Sequence, residues 1–319
     1  MKILVTGCAG FIGFHLCKKL LKKKYEVYGV DNLNSYYSVY YKKKRLSFLK
    51  DKKNFQFHKI DISNFKRLER VFKKNKFDFV INLAAQAGVR YSISNPKEYM
   101  CSNVLGFFNI TELSRIYNIK KIYYASSSSV YGETKIFPIK ESAKTYPKNI
   151  YSLSKKNNEE IAEIYSHYYN MQFIGLRFFT IYGEWGRPDM LILKYILKCV
   201  KKNTFYLNNY GNHYRDFTYV KDVVENILRL TRKKIKKKHE IFNICSNNPV
   251  SIKWVLDQIN KEFGQPKIIK KPKQKADVYK THGNNKKIYK ITKFKNYTKI
   301  SKGLANVIDW AKLNIQYIK

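Results

Sequence analysis

The chain has 319 residues, 44% of them apolar, with 63 basic against 23 acidic residues and a formal net charge of +40. That is enough apolar material for one large or two modest domains. Five scattered cysteines, Cys8, Cys17, Cys101, Cys199 and Cys245, with no C-x-x-C pair and no histidine cluster beside them, speak against a disulfide frame or a metal site.

No basic leader opens the sequence, and no stretch approaches the ~18 apolar residues of a membrane span. A cytoplasmic protein without membrane insertion is expected. The charge invites a nucleic-acid reading. Lysine, however, is spread along the whole chain and far outnumbers arginine, as compositional drift onto tolerant surface would produce. The runs Lys22-Lys23-Lys24, Lys42-Lys43-Lys44 and Lys236-Lys237-Lys238 are expected on helix ends and loops as solvated charge. Such a surface draws anionic substrates without a specific nucleic-acid partner.

The first predicted element is a buried strand, Lys2–Thr6, followed by Gly7-Cys8-Ala9-Gly10-Phe11-Ile12-Gly13 and a helix over Phe11–Lys24. Three glycines spaced three apart between strand and helix suit a dinucleotide cradle. Gly7 and Gly10 let backbone approach a pyrophosphate, and Gly13 lets the helix sit close to the sheet. A second strand, Glu26–Val30, ends in Asp31, whose carboxylate accepts both ribose hydroxyls of an adenosine and repels a 2′-phosphate. NAD is therefore expected, not NADP.

Further along, Asn54–Lys59 reads as strand, Asn64–Lys74 as helix, Phe77–Asn82 as strand, Pro96–Tyr117 as helix and Lys121–Ala125 as strand. Tyr151–Tyr169 then reads as a long helix and Gln172–Arg177 as a strand. This alternation predicts an α/β protein with a Rossmann-type doubly wound parallel sheet. After Arg177 the pattern loosens, with helices expected at Leu191–Lys202, Asp222–Thr231 and Lys253–Phe263. We expect residues 1–178, with segments within 215–245, to hold the cofactor. A smaller mixed C-terminal domain, 179–214 and 246–319, is expected over the strand ends to hold the substrate.

Tyr-x-x-x-Lys on a helix places both side chains on one face and suits proton transfer beside a nicotinamide. Here the motif occurs five times, at Tyr40/Lys44, Tyr117/Lys121, Tyr131/Lys135, Tyr151/Lys155 and Tyr289/Lys293, about as often as composition alone would give. Only Tyr151/Lys155 opens a long helix after a strand ending in a hydroxyl-rich turn, Ser126-Ser127-Ser128-Ser129. A serine there is placed to share the same sugar hydroxyl.

Taken together, these segments resemble the extended short-chain dehydrogenase/reductase family of NAD-dependent nucleotide-sugar epimerases and dehydratases over nearly the whole length. The matching stretches include Thr6–Gly13, Asp31-Asn32-Leu33, Asp61-Ile62, Asn82-Leu83-Ala84-Ala85-Gln86-Ala87, Asn103-Val104-Leu105-Gly106, the serine turn, Tyr151/Lys155 and Arg215-Asp216-Phe217-Thr218-Tyr219-Val220. The resemblance implies NAD contacts at Gly7, Gly10, Phe11, Ile12, Gly13, Asp31, Asn32, Asp61, Ile62, Leu83, Ala84, Ala85, Tyr151 and Lys155. Asn103, grouped with them, would support the active site. It also implies a homodimer.

Sugar 4,6-dehydratases of that family carry an Asp-Glu pair after the strand for elimination of water; this chain has only serines. The remaining reaction is reversible oxidation at C4, with Tyr151 and Lys155 as the dyad and Ser127 sharing the proton. Residues Arg177–Met190 resemble the corresponding segment of UDP-glucuronate 4-epimerases. Ser127, Ser128, Thr180 and Arg187 would then hold the uronate carboxylate, with the diphosphate as the alternative partner of Arg187; Arg215 would hold the diphosphate, and Gln274 and Asp277 would contact the nucleotide. The alternatives are a UDP-glucuronate decarboxylase, a 4-epimerase for UDP-glucose or UDP-N-acetylglucosamine, or, in a different class, a basic nucleic-acid-binding protein.

Overall fold

The computed structural model describes residues 1–274 and 277–318. Its twelve strands are β1 (Lys2–Thr6), β2 (Glu26–Asp31), β3 (Phe55–Lys59), β4 (Phe79–Asn82), β5 (Lys121–Ser127) and β6 (Gln172–Phe178), then β7 (Thr180–Tyr182), β8 (Phe205–Asn208), β9 (Tyr214–Tyr219), β10 (His239–Ile244), β11 (Pro249–Ser251) and β12 (Ile268–Lys271). Seven of them form one parallel sheet in the order β10-β6-β5-β4-β1-β2-β3. The order turns at β1 and β4, which opens a crevice beyond their carboxyl ends.

Alternation along the strands sends successive side chains to opposite faces. Ile3, Val5, Ile81, Tyr123 and Leu176 point into one core, shared with the helices Phe11–Lys22 and Val220–Thr231. Leu4, Val80, Ile122, Tyr124 and Phe173 point into the other, against the helices Phe65–Lys74, Gly106–Ile116 and Ile150–Tyr168. The first core runs on without a break into Ile181, Trp185, Ile192, Phe217 and Val255, so the smaller sheets β11-β9-β7 and β12-β8 are fused to the large one through apolar contact. Among the described residues no helix is long and apolar enough to cross a membrane.

Three expectations need revision. The helix predicted over Pro96–Tyr117 is helical at both ends, Pro96–Tyr99 and Gly106–Ile116, but widens into a π-turn at Met100–Leu105, a local rearrangement often found at functional sites. The seventh strand, β10, has no counterpart among the predicted elements, and it closes the sheet beside β6. The run Lys42-Lys43-Lys44 is not all solvated: it lies in an unpredicted helix, Val39–Lys50, which buries Lys42 and Arg45 while Lys43 faces solvent. That helix escapes a periodicity reading because polar groups occupy part of its buried face. Lys22, Lys23, Lys24 and Lys236, Lys237, Lys238 are exposed as expected.

Candidate active site

A cavity of about 860 Å³ opens at the carboxyl ends of the parallel strands. One end is walled by Gly7, Gly10, Phe11, Ile12, Gly13, Asp31, Asn32, Asp61, Ile62, Leu83, Ala84 and Ala85. Gly7 has φ +69°, and a β-carbon there would fall 2.8 Å from the Ala84 nitrogen and 2.9 Å from the Leu83 carbonyl carbon. A β-carbon at Gly13 would drive into the Gly7 carbonyl oxygen. Strand, loop and helix therefore meet closely only because side chains are missing. The helix Phe11–Lys22 has no side-chain cap at Gly10, which leaves its first N–H groups and its dipole for a phosphate.

The Asp31 carboxylate accepts hydrogen bonds from the Leu33 N–H at 2.8 Å and the Ala9 N–H at 3.1 Å. Burial raises its pKa, opposed by those donors and by Lys42 and Arg45. Asp61 takes bonds from Asn32 Nδ2 at 2.8 Å and from the Ser63 hydroxyl at 2.7 Å. Burial pushes its pKa up, but those donors prevail and hold it below its ordinary value. An uncapped helix end, a surface cleared of β-carbons and a carboxylate in the cavity wall fit a dinucleotide, and these are the residues that would hold NAD.

Of the five Tyr-x-x-x-Lys pairs, only Tyr151/Lys155 lines the cavity; Tyr131 is buried elsewhere, donating to Asn243 Oδ1 at 2.6 Å. The helix that carries the dyad starts in a reciprocal cap between Asn149 and Ser152, which fixes the rotation of its first turns. Lys155 is 2% exposed and its Nζ donates to the Ala125 carbonyl at 2.9 Å. Burial lowers its pKa to about 8. Burial raises the Tyr151 phenol, while a hydrogen bond with Ser127 and the charge of Arg187 draw it back.

Behind the serine turn lies a buried network. Arg177 Nε and NH2 each donate to Glu159 at 2.7 Å, and the Ser126 hydroxyl donates to Glu159 at 2.6 Å. Because Glu159 sits one turn beyond Lys155 on the same helix, this ties the dyad to the end of β5. Asn103, from the π-turn, donates to Ser154 Oγ at 2.9 Å and to the Gln86 carbonyl at 3.0 Å. It is 2% exposed and absent from the cavity wall, so it supports the site from behind.

At the other end, Thr180, Arg187, Arg215 and Asp277 line the wall. Arg187 pairs with Asp189 through Nε at 3.0 Å and NH2 at 2.5 Å, and the Tyr36 hydroxyl donates to Asp189 at 3.0 Å. Arg215 donates to the Val278 carbonyl at 2.8 Å, and burial lowers its pKa to about 10. Two predicted residues are not brought in. Ser128 begins the 3₁₀ turn Ser128–Tyr131 outside the wall, and Gln274 is exposed to solvent. Sequence reading misses Lys42, Arg90, Lys194, Asn208 and His213, all in the wall; none belongs to a spacing pattern that would mark it. Among the described residues no group of histidine, cysteine and carboxylate side chains can hold a metal ion.

Residues 3–245 match the model of the NAD dependent epimerase/dehydratase family. The chain is 43% identical over 328 residues to Protein CapI of Staphylococcus aureus, covering 97% of this chain and 98% of that one. It is 37% identical over 325 residues to a UDP-glucuronate 4-epimerase of Thermodesulfobacterium geofontis, covering 99% and 98%. Among solved structures, the UDP-glucuronic acid 4-epimerase of Bacillus cereus in complex with UDP-glucuronic acid and NAD superimposes with a TM-score of 0.92. Its identity is 28%, over 98% of this chain and 99% of that one.

Proposed function

Because the chain belongs to the NAD-dependent epimerase/dehydratase family, we propose that this NAD-dependent nucleotide-sugar epimerase interconverts UDP-glucuronate and UDP-galacturonate at C4. The observation that carries the reading is the convergence of Tyr151, Lys155 and Ser127 with Thr180 and Arg187 in one cavity, with serines where an eliminating enzyme needs carboxylates.

When bound, NAD would supply the hydride acceptor for C4 and return the hydride to the opposite face of the 4-keto sugar. The work of the chain is to manage one proton and one carboxylate. Tyr151 Oη takes the C4 hydroxyl proton and later returns it. A free phenol has a pKa of about 10, so the anion needs help. The Lys155 ammonium and the Ser127 hydroxyl provide it by charge and by hydrogen bonding. Thr180 and Arg187 hold the C6 carboxylate; the Asp189 pairing uses Nε and one terminal nitrogen of Arg187 and leaves the other for a ligand. Arg215 faces the diphosphate, and Asp277 the nucleotide. On this reading residues 1–178 with part of 215–245 serve the cofactor, and 179–214 with 246–319 serve the sugar nucleotide.

A second copy of the chain fits an apolar strip on two neighbouring helices. Phe108 and Ile116 are exposed on one, with Leu105 at the end of the π-turn before it, and Leu153, Ile164 and Tyr168 on the other. Sedimentation or light scattering at micromolar concentration should show a dimer, and a monomer would remove that part of the proposal.

Product analysis from UDP-glucuronate tests the activity. An isobaric product with galacto configuration at C4 is expected. Loss of 44 mass units, the carbon dioxide released from a β-keto acid, would replace epimerase with decarboxylase. Clear preference for UDP-glucose or UDP-N-acetylglucosamine would move the substrate.

A further inference from the structure

Arg45 is fully buried and takes no part in the chemistry above. Its NH1 donates to the Ala9 carbonyl at 3.1 Å and to the Tyr37 hydroxyl at 2.7 Å. Its NH2 donates to the carbonyls of Trp185 at 2.6 Å and Gly186 at 2.8 Å. The guanidinium carbon lies 4.4 Å from the centre of the Tyr41 ring. Among the described residues no carboxylate forms an ion pair with it, the nearby Asp31 feeling only its charge, and Nε has no hydrogen-bond partner.

A buried cation with no carboxylate in contact is a costly way to fill space, and an apolar side chain would pack the same volume more cheaply. What an apolar residue cannot do is hold several carbonyls in one plane. The guanidinium fork can. The groups it holds belong to three separate segments: Ala9 lies between the cradle glycines Gly7 and Gly10, Tyr37 lies in the loop beyond Asp31, and Trp185 and Gly186 immediately precede Arg187.

Trp185 itself sits at φ +55°, 9% exposed, packed on Tyr41, Phe14 and Trp310. The loop bearing Arg187 is thus seated on the same helix that supplies Arg45. Its polar connections toward the cradle are the guanidinium and, one residue earlier, the Glu184 carbonyl oxygen, 2.8 Å from His15 Nε2 on the helix Phe11–Lys22.

We propose that Arg45 is a positioning residue that couples the two ends of the cavity, so that the dinucleotide and the sugar nucleotide bind with positive cooperativity. This rests on the reading that NAD occupies the glycine end and a nucleoside diphosphate sugar the other. A dinucleotide phosphate on the cradle fixes the Ala9 peptide, Ala9 fixes the fork, and the fork fixes the Trp185-Gly186 peptides that aim Arg187. By reciprocity, a ligand on Arg187 tightens the cradle by the same factor.

The test is the affinity for UDP-glucuronate, whose carboxylate reaches Arg187, measured by calorimetry on the full chain with and without saturating NAD, in a Tyr151→Phe background that stops turnover, with Arg45 intact and as Arg45→Lys. Lysine keeps the charge but cannot hold four acceptors in a plane. With Arg45 intact NAD should tighten UDP-glucuronate binding on the order of tenfold, and in Arg45→Lys the factor should fall to about one. Hydrogen exchange over residues 183–190 should slow on NAD addition in the wild type alone. Tyr37→Phe removes one acceptor and should lower the factor partway, which keeps the test usable if Arg45→Lys does not fold.

A protein with Arg45 intact that binds NAD and UDP-glucuronate independently overturns the coupling and leaves the proposed function standing. An Arg45→Lys protein with a lower Tm but an undiminished factor overturns it too, since a merely structural residue behaves that way. A wild type that binds neither ligand removes both readings.

Discussion

At its cofactor end the cavity wall is largely backbone: Gly7 faces the Ala84 nitrogen, Gly13 faces the Gly7 carbonyl, and a helix N-terminus stands open. At its sugar-nucleotide end the wall is side chain, with Arg90, Lys194, His213, Arg215 and Asp277 brought from separate segments. On the proposed reading the first end recognises a phosphate through geometry that any side chain would spoil. The second recognises its ligand through charges that a single substitution can retune. Tyr151 and Lys155 stand at the seam between them.

The largest expected effect is at that seam. Tyr151→Phe keeps the ring and removes the proton carrier, so turnover of UDP-glucuronate should fall by about two to four powers of ten with UDP affinity retained. Near-normal turnover, followed by NMR of the C4 epimers, would move the chemistry to another group.

At the backbone end, Gly7→Ala places a β-carbon against the Ala84 nitrogen at φ +69°. Strain of about 1–3 kcal/mol before any collision should lower NAD affinity on the order of 100-fold, with UDP binding much less affected. Equal loss of both ligands in a titration would mean that the two ends are not built by different means.

At the side-chain end, Arg187→Ala should weaken handling of UDP-glucuronate more than that of UDP-glucose by about 1.5–3 kcal/mol, the worth of a hydrogen bond to a charged group. The ratio of kcat/KM for the two sugars reads this directly. Equal losses would place Arg187 on the shared diphosphate.

The smallest effect concerns stability. Burial lowers Lys155 from 10.5 to about 8, so the unfolded chain binds more protons than the folded one between those values. Below about pH 8 this group costs about 3 kcal/mol, and the cost fades as pH rises toward the unfolded pKa. Lys155→Met removes the cost and loses a hydrogen bond to Ala125 worth about 1 kcal/mol. The variant should therefore be inactive yet melt a few degrees higher at pH 7, and its stability should not share the wild type's rise between pH 8 and 10. A lower Tm at pH 7 would show that the buried ammonium is better compensated than its surroundings suggest.

The same contrast governs how much the sequence discloses. Glycine spacing and the position of Asp31 are legible because they reflect backbone requirements that leave a regular trace. The Tyr-x-x-x-Lys motif is ambiguous in so lysine- and tyrosine-rich a chain, and is resolved only by what precedes Tyr151. Arg90, His213 and Lys194 leave no trace, since they come together only when β8, β9 and the helix Leu191–Val200 fold over the sheet. The helix Val39–Lys50 is hidden for a related reason. Its buried face carries Lys42, donating to the Asn34 carbonyl at 2.7 Å, and Arg45, which composition counts as surface.

The path of the chain through the sheet bears on how this protein can be re-engineered. The chain leaves the sheet after β6, builds β7 to β9, then threads back to lay β10 beside β6. Truncation after residue 178 would strip that strand and leave the edge of β6 unpaired, an invitation to aggregation. The two halves are interlaced, so neither is a module to be swapped whole between relatives. A transplant of sugar preference has to move the short turn around Arg187 and keep both crossings of the chain.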